Sequence, residues 1–409
     1  MSITRRLLCT TGLAAAVALV ATPGLAQKKM YGPGVTDKEI KIGNTNPYSG
    51  PASAYGTIGR TIAAYFKKVN AEGGINGRKI NFVTLDDGYS PPKTVEQTRK
   101  LVEREKVLFI FQGLGTPTNS AIHKYMNKKK VPQLFVATGA TKWGQPKKFP
   151  WTMGWQPNYQ TEGSIYAKYV LKNVKNPKIA VLYQNDDYGK DYLIGLRAGL
   201  GAKAKGMIVK ALSYEVSSPT VDAQVVQLKN SGANVFLNVT TPKFAVQAIK
   251  KAHDLGWKPL HFLNNVSVSV SRVMKPAGFE KSQGIISSAY AKDPTDPQWK
   301  NDKDYLEWVA FMKKWYPRGS LNSSFNSYGY AVAKTMEHVL KQAGDNLTRK
   351  NIMKTAASMK DVRVPMLLPG VVLNTGPGDF RPIEQMQLQR FEGKTWKLFG
   401  PIIDASGSS

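Results

Sequence analysis

The sequence predicts an α/β chain of two parallel sheets, each covered by helices. Apolar runs of strand length alternate with amphipathic stretches of helical period from residue 39 onward. Gly, Pro and short polar clusters punctuate nearly every junction. The rhythm also resumes after residue 160, which predicts a second set of strands and helices rather than one continuous sheet.

Taken in order, EIKIGNTNPYSG (39 to 50) reads as a strand running into a polar turn, and TIAAYFKKVNAEGGING (61 to 77) as a helix stopped by a Gly pair. KINFVTLDDGYSP is a strand and turn, and PPKTVEQTRKLVEREK a helix with Pro at its start. VLFIFQGLGTPTNSAIHKYMNKKKV reads as strand, loop and helix, the helix beginning near Asn119, and VPQLFVATGATKW as strand and loop. Beyond residue 160 come the helix EGSIYAKYVLKNV, the strand KIAVLYQNDDYG, a helix near 191 to 205 and the strand VKALSYE. DAQVVQLKNSG, NVFLNVTTP and KFAVQAIKKAHDLG continue as helix, strand and helix. PTDPQWKNDKDY (294 to 305) reads as a surface loop leading into a returning helix, YLEWVAFMKKWYP.

The first residues address the compartment. Arg5 and Arg6 precede an apolar stretch from about Leu13 to Val20, and Gly24-Leu25-Ala26 supplies small residues for cleavage before Gln27. We therefore expect a signal peptide over residues 1 to 26, cleaved near Ala26, and a periplasmic mature protein; Sec and Tat export both stay open. The apolar run falls short of the roughly 20 residues a transmembrane helix needs. Cys9, the only cysteine, precedes the apolar stretch, so a lipoprotein fits poorly. The mature chain then has no disulfide, thiol nucleophile or thiolate metal site, and we expect no cofactor and no metal.

Lys and Arg number 57 against 28 Asp and Glu, a formal net charge of +29. The lysines are scattered singly and in pairs, the longest run being Lys128-Lys129-Lys130. Without a basic tail, zinc-finger spacing or RNP-like stretch, no nucleic-acid partner is expected. A solvated basic surface, with some steering of anionic small molecules, accounts for the balance. Enzymatic activity is not expected either: GxSxG and HExxH are absent, and His123, His253, His261 and His338 share no motif.

In sheets of this kind a ligand sits outside the carboxyl ends of the strands. The segments there, NPYSGPASAYG, DDGYSP, GLGTPTNS, ATGATKW, QNDDYGKD, NVTTPK and LNNVSVS, are rich in hydroxyls, glycines and aromatics. They suit a pocket that grips a small molecule by backbone amides and hydroxyls between aromatic walls. GLGTPTNSA lacks the third glycine of a dinucleotide loop, so its Thr116 and Thr118 read either as an anion site at a helix start or as caps for that helix.

Several stretches together carry a resemblance: NPYSGPASAYG, VNAEGGINGRKI, LDDGYSPPKTV, GLGTPTNSA, ATGATKW, YQNDDYGKD, VVQLKNSGANVFL and FRPIEQMQLQRFEGKTW. In this order they resemble the branched-chain amino acid binding proteins of ABC transporters, which are type I periplasmic binding proteins. The resemblance implies two Rossmann-like lobes joined by three hinge crossings. It places residues 36 to 158 and 289 to 372 in the first lobe, and 159 to 288 and 373 to 409 in the second. It also implies delivery of the ligand to a membrane ABC permease complex; we expect a monomer. Carried over residue by residue, the family's ligand contacts fall on Thr116, on Gly139, Ala140 and Thr141 for a ligand carboxylate, on Tyr188 and Tyr55, and about at Thr240.

Family members that bind amino acids commonly set an acidic residue of the second lobe against the ligand ammonium. Here that position falls near Val266, with Asn264 and Asn265 the nearest polar groups. An ammonium buried against valine would cost several kcal/mol. Unless Asp186 or Asp187 takes over, this favours a carboxylate ligand without an α-ammonium. Tyr48, Trp143, Trp151, Trp155, Tyr188 and Tyr290, in or near cleft and hinge segments, favour an aromatic or other apolar acid. A branched-chain or other amino acid, and a ligand sensor without a transport role, are the alternative readings.

Overall fold

The structure, a computed structural model, describes residues 29–405; the signal-peptide expectation lies outside the described residues. In chain order the strands are β1 (Met30–Tyr31), β2 (Glu39–Asn46), β3 (Lys79–Asp86), β4 (Ile110–Phe111), β5 (Gln133–Val136), β6 (Thr152–Gly154) and β7 (Ile179–Gln184). They continue as β8 (Ile208–Tyr214), β9 (Val235–Val239), β10 (Leu260–Leu263), β11 (Ile286–Ala289), β12 (Asn346–Leu347), β13 (Gln385–Glu392) and β14 (Thr395–Asp404). The first sheet has the order β3-β2-β4-β5-β6 and is parallel throughout. The second has the order β14-β13-β11-β10-β9-β7-β8. It is parallel from β8 to β11, and β13 and β14 extend it as an antiparallel hairpin.

Helices cover both faces of such sheets, so their strands must be apolar throughout. The runs IF, QLFV and VFLNV come close to that demand: β4, β5 and β9 are buried along their whole length, with Gln133 and Asn238 their only polar residues. The hairpin turn between β13 and β14 uses Gly393 at φ 62°, a left-handed conformation that glycine adopts without steric cost.

The chain leaves the first sheet after β6 and enters the second through the helix Tyr159–Asn173. It leaves the second after β11 and re-enters it at β13, so three crossings join the lobes. Between the last two crossings the chain returns to the first lobe. There the helix Ser324–Ala343 packs on the helix Gly56–Ala71, with Thr61 Oγ1 donating to Asn326 Oδ1 at 2.9 Å and Tyr330 edge-on to Tyr65 at 5.3 Å. Arg349 fastens this segment further by donating to the carbonyls of Leu108 and Val107 at 2.8 and 2.9 Å.

Several helix boundaries differ from those read in the sequence, two of them beside strand ends that face the opposite lobe. The helix expected near Asn119 runs from Thr116 to Lys129, because Gly115 at φ 97° turns the chain at once and Pro117 accepts the first turn. The helix expected near 191 to 205 spans Asp187–Leu200, because the Asp186 carboxylate caps it by accepting from the N–H groups of Tyr188 and Gly189.

Candidate functional site

The carboxyl ends of β4 and β5 and the crossing segments converge on a cavity between the lobes, enclosing about 870 Å³ of space free of protein atoms, part of it open to solvent. Six tyrosines line it: Tyr55, Tyr89, Tyr159, Tyr188, Tyr290 and Tyr328. Phe325 stands behind Tyr55 with ring centroids 5.0 Å apart, and Tyr159 meets Tyr188 edge-on at 5.2 Å. Such walls bury flat or apolar ligand surface while their hydroxyls supply isolated polar contacts.

The first-lobe wall carries Thr116 at the start of its helix. Its hydroxyl lies 2.5 Å from that of Thr138. First-turn amides have no carbonyl one turn earlier to bond, so this helix end favours a negative group. Gly115 is required here, since a Cβ would come within 2.3 Å of the Tyr89 ring.

The second lobe contributes Tyr188, Thr241, Asn265 and Val266. The Tyr188 hydroxyl is buried and has no hydrogen-bond partner among the described residues, and burial pushes its pKa well up. Asn265 is oriented from behind by Glu162, whose carboxylate accepts from the Asn265 backbone N–H at 2.8 Å and from its Nδ2 at 2.6 Å. Tyr166 and Tyr192 also donate to Glu162. Burial nevertheless pushes the Glu162 carboxyl up to about 7 against the pull of these donors.

The crossings complete the cavity with Gln156, Tyr290, Lys292 and Asp293. The Lys292 ammonium is committed to Asp302 and Asp304 at 2.6 and 2.9 Å. Asp293 accepts from the Thr295 N–H at 2.8 Å and from the Thr295 hydroxyl, and burial lifts its carboxyl to about 6.

The lobes touch at both rims of the cavity. At one, Tyr55 donates to the Val266 carbonyl at 3.0 Å and Arg272 to the Thr57 hydroxyl at 3.3 Å. At the other, the Thr141 N–H donates to Asp191 at 2.6 Å and Lys142 pairs with Asp187 at 2.6 Å.

Of the residues singled out in the sequence, Tyr55, Thr116, Tyr188 and Tyr290 line this cavity. Gly139, Ala140 and Thr141 lie instead around a smaller hollow beside Trp143 and Arg381. Ala140 and Thr141 spend their donors on protein partners: the Ala140 N–H points to Thr138 Oγ1, the Thr141 N–H is held by Asp191, and the Thr141 hydroxyl donates to Asn158. Gly139 is small because the first crossing passes over it, and a Cβ would sit 2.3 Å from the Pro157 carbonyl oxygen. Thr240 and Asn264 miss the cavity by one residue each. The Thr240 hydroxyl bonds Asn238 at 2.6 Å and the Asn264 amide bonds two carbonyls at 3.0 Å, while the neighbours Thr241 and Asn265 face inward. A one-residue step at a strand end reverses the side a residue faces.

Tyr48 lies away from the cavity, bonded to Thr84 at 2.6 Å with Arg60 over its ring. Trp155 is fully buried, donates to Thr335 at 3.1 Å and backs Tyr290 and Tyr328 edge-on. Trp143 and Trp151 also lie outside the cavity. Neither Asp186, spent on its helix cap, nor Asp187, paired with Lys142, lines it; the acid that does is Asp293. Cavity residues that the sequence reading did not single out include Tyr89, Tyr159, Asp293, Tyr328 and Gln389, whereas Asn265 was named there beside Asn264 as a polar group near Val266.

Among the described residues no group of three or more His, Cys, Asp or Glu could hold a metal ion, and no helix is long and apolar enough to cross a membrane.

The family model described as periplasmic binding protein matches residues 39–395. The Leu/Ile/Val-binding protein homolog 2 of Brucella abortus (strain 2308) is 25% identical over 337 residues, covering 80% of this chain and 84% of that protein. Among solved structures, a branched chain amino acid ABC transporter protein from Thermus thermophilus with bound valine superposes with a TM-score of 0.81 at 14% identity, covering 91% of this chain and 98% of its own. A fatty acid ABC transporter substrate-binding protein from Thermomonospora curvata superposes at 0.79 with 21% identity, covering 92% and 95%. With the family model spanning both sheets and the crossings between them, this chain is a member of the periplasmic binding protein family.

Proposed function

We propose that this protein captures a small carboxylate-bearing ligand with an aromatic or other apolar body and delivers it, in the periplasm, to an ABC permease. The observation that carries the reading is the tyrosine-walled cavity between two lobes, with Thr116 at a helix start on one wall. The carboxylate docks at the Thr116 end and near the unpartnered Tyr188 hydroxyl, and the rings of Tyr55, Tyr159 and Tyr290 cover the body. Contacts such as Tyr55 to Val266 and Thr141 to Asp191 exist only when the lobes meet. A ligand touching both lobes therefore binds the closed state better, which is what shifts the population towards it. The net charge of +29 assists encounter with an anion.

A branched-chain or other amino acid is the second reading. It is favoured by Asp293 on the cavity wall and by the relatives named for leucine, isoleucine and valine. A thermal-shift screen of the purified protein against amino acids and against plain aromatic and aliphatic carboxylates tests both. Stabilisation of a few kcal/mol is expected from a ligand well above its dissociation constant. Shifts confined to plain carboxylates support the first reading, shifts confined to amino acids the second, and a panel without shifts rejects both.

A further inference from the structure

Tyr89 stands on the cavity wall in a backbone conformation that its side chain does not favour. The turn after β3 is closed by the Ser90 N–H donating to the Asp87 carbonyl at 2.9 Å, and its two central residues, Gly88 and Tyr89, both have positive φ, 57° and 63°. Such turns take glycine, asparagine or aspartate at these positions, because a larger side chain crowds the backbone there. Gly88 obeys that preference and Tyr89 breaks it. The surroundings hold the turn in place: the buried Asp87 carboxylate accepts from the Tyr89 N–H at 3.0 Å and from the Thr94 hydroxyl at 2.9 Å. A bulky residue kept in the left-handed region at a cavity wall points to a task for its side chain.

The place of the ring says which task. A Cβ on Gly115 would lie 2.3 Å from Tyr89 Cε2 and 2.9 Å from Cζ, so the ring rests on the glycine that precedes Thr116. Tyr89, Gly115 and Thr116 all line the cavity, and the ring therefore walls the space one residue from the helix start. Its hydroxyl lies towards the other lobe: burial pushes its pKa well up, the Asp186 carboxylate adds to the rise and the Gln184 amide group acts the other way. Both of these residues stand at the end of β7. Resting on the reading of Thr116 as the carboxylate end of the site, we infer that Tyr89 is a specificity-determining residue: its ring, shut between the lobes, keeps the carboxylate end of the ligand narrow. It admits acids without an added methyl on or beside the carbon that carries the carboxylate and rejects those with one. Gly115 belongs to the same device, because only a residue without a Cβ leaves the ring its seat.

The test is isothermal titration calorimetry on the purified protein with matched pairs that differ by that one methyl: benzoate and 2-methylbenzoate, 3-phenylpropionate and 2-methyl-3-phenylpropionate, leucine and 2-methylleucine. In each pair that binds, the methyl-bearing member is expected to bind about tenfold more weakly or worse. Tyr89→Phe keeps the ring and should keep that preference. Tyr89→Gly removes the ring at a φ that glycine adopts freely and should erase it. Tyr89→Asn, which tolerates the same φ, should do likewise and serves where Tyr89→Gly melts early. A side chain that only braced the turn would weaken both members of a pair equally. Both members binding alike in the wild type, or a preference that survives Tyr89→Gly and Tyr89→Asn, overturns the inference and leaves the carboxylate reading standing. A Tyr89-dependent preference for benzamide over 2-methylbenzamide, with no acid bound, would retain Tyr89 and reject the carboxylate. Silence across acids and amides rejects both.

Discussion

The backbone N–H of Thr141 donates to Asp191 Oδ2 at 2.6 Å across the gap between the lobes. Asp191 also accepts from Gln160 at 2.8 Å, and Lys142 pairs with Asp187 alongside, so this rim forms a clasp. Asp191→Ala should weaken the closed state by about 1.5 to 3 kcal/mol, the worth of a hydrogen bond to a charged group. Small-angle scattering should then show a more open particle, and ligand affinity should fall roughly tenfold or more. Tighter binding in this variant would instead show that the freed Thr141 amide receives the ligand carboxylate, as the sequence led us to expect.

Tyr188 brings a hydroxyl that is buried without a hydrogen-bond partner among the described residues. An unpaired polar group of this kind costs about 1 to 3 kcal/mol. Tyr188→Phe should therefore melt at the same temperature as the wild type or above it, yet bind ligand about tenfold more weakly. Loss of stability with unchanged affinity would remove the hydroxyl from the site.

The Glu162 carboxyl, raised from 4.5 to about 7 by burial, makes folding pH-dependent. With the folded value above the unfolded one, its stabilising contribution is whole below pH about 4.5. It fades as pH rises through 7, because the folded state must give up a proton it holds more tightly than the unfolded chain. Denaturant titrations should show wild type losing as much as about 3 kcal/mol relative to Glu162→Gln over that interval. Asp87 and Asp293, each lifted to about 6, titrate in both proteins and cancel in the difference. Parallel curves would show that the four donors around Glu162 hold it ionised throughout.

Gly139 meets the first crossing so closely that a Cβ would lie 2.3 Å from the Pro157 carbonyl oxygen and 2.8 Å from the Tyr159 ring. The neighbouring atoms belong to backbone and to a buried ring, so little can yield. Gly139→Ala should cost about 1 to 3 kcal/mol by overpacking, read as a lower denaturant midpoint. Unchanged stability would mean that the crossing can move away.

Local sequence determined the layers of this fold. Strand-length apolar runs alternating with helical periods lead to parallel sheets, and the glycines and prolines at junctions mark where each element stops, because these are constraints on single segments. Of the residues lining the cavity, Thr116, Tyr55 and Tyr188 came from the family resemblance, residue by residue, and Tyr290 from its place in or near a hinge segment. Tertiary structure alone decided the rest. Whether Thr240 or Thr241 looks inward depends on a one-residue phase that no local signal sets. The short side chains of ATGAT fit a cradle for a carboxylate and equally fit a crossing packed on the strand end, and only the positions of Pro157, Tyr159 and Asp191 separate the two. Asp293 stood beside what read as a surface loop; its burial arises because the chain returns between the lobes there and leaves Lys292 paired elsewhere. A pocket between two lobes is built by residues far apart in sequence, so its charge pattern exists only once the crossings bring them together.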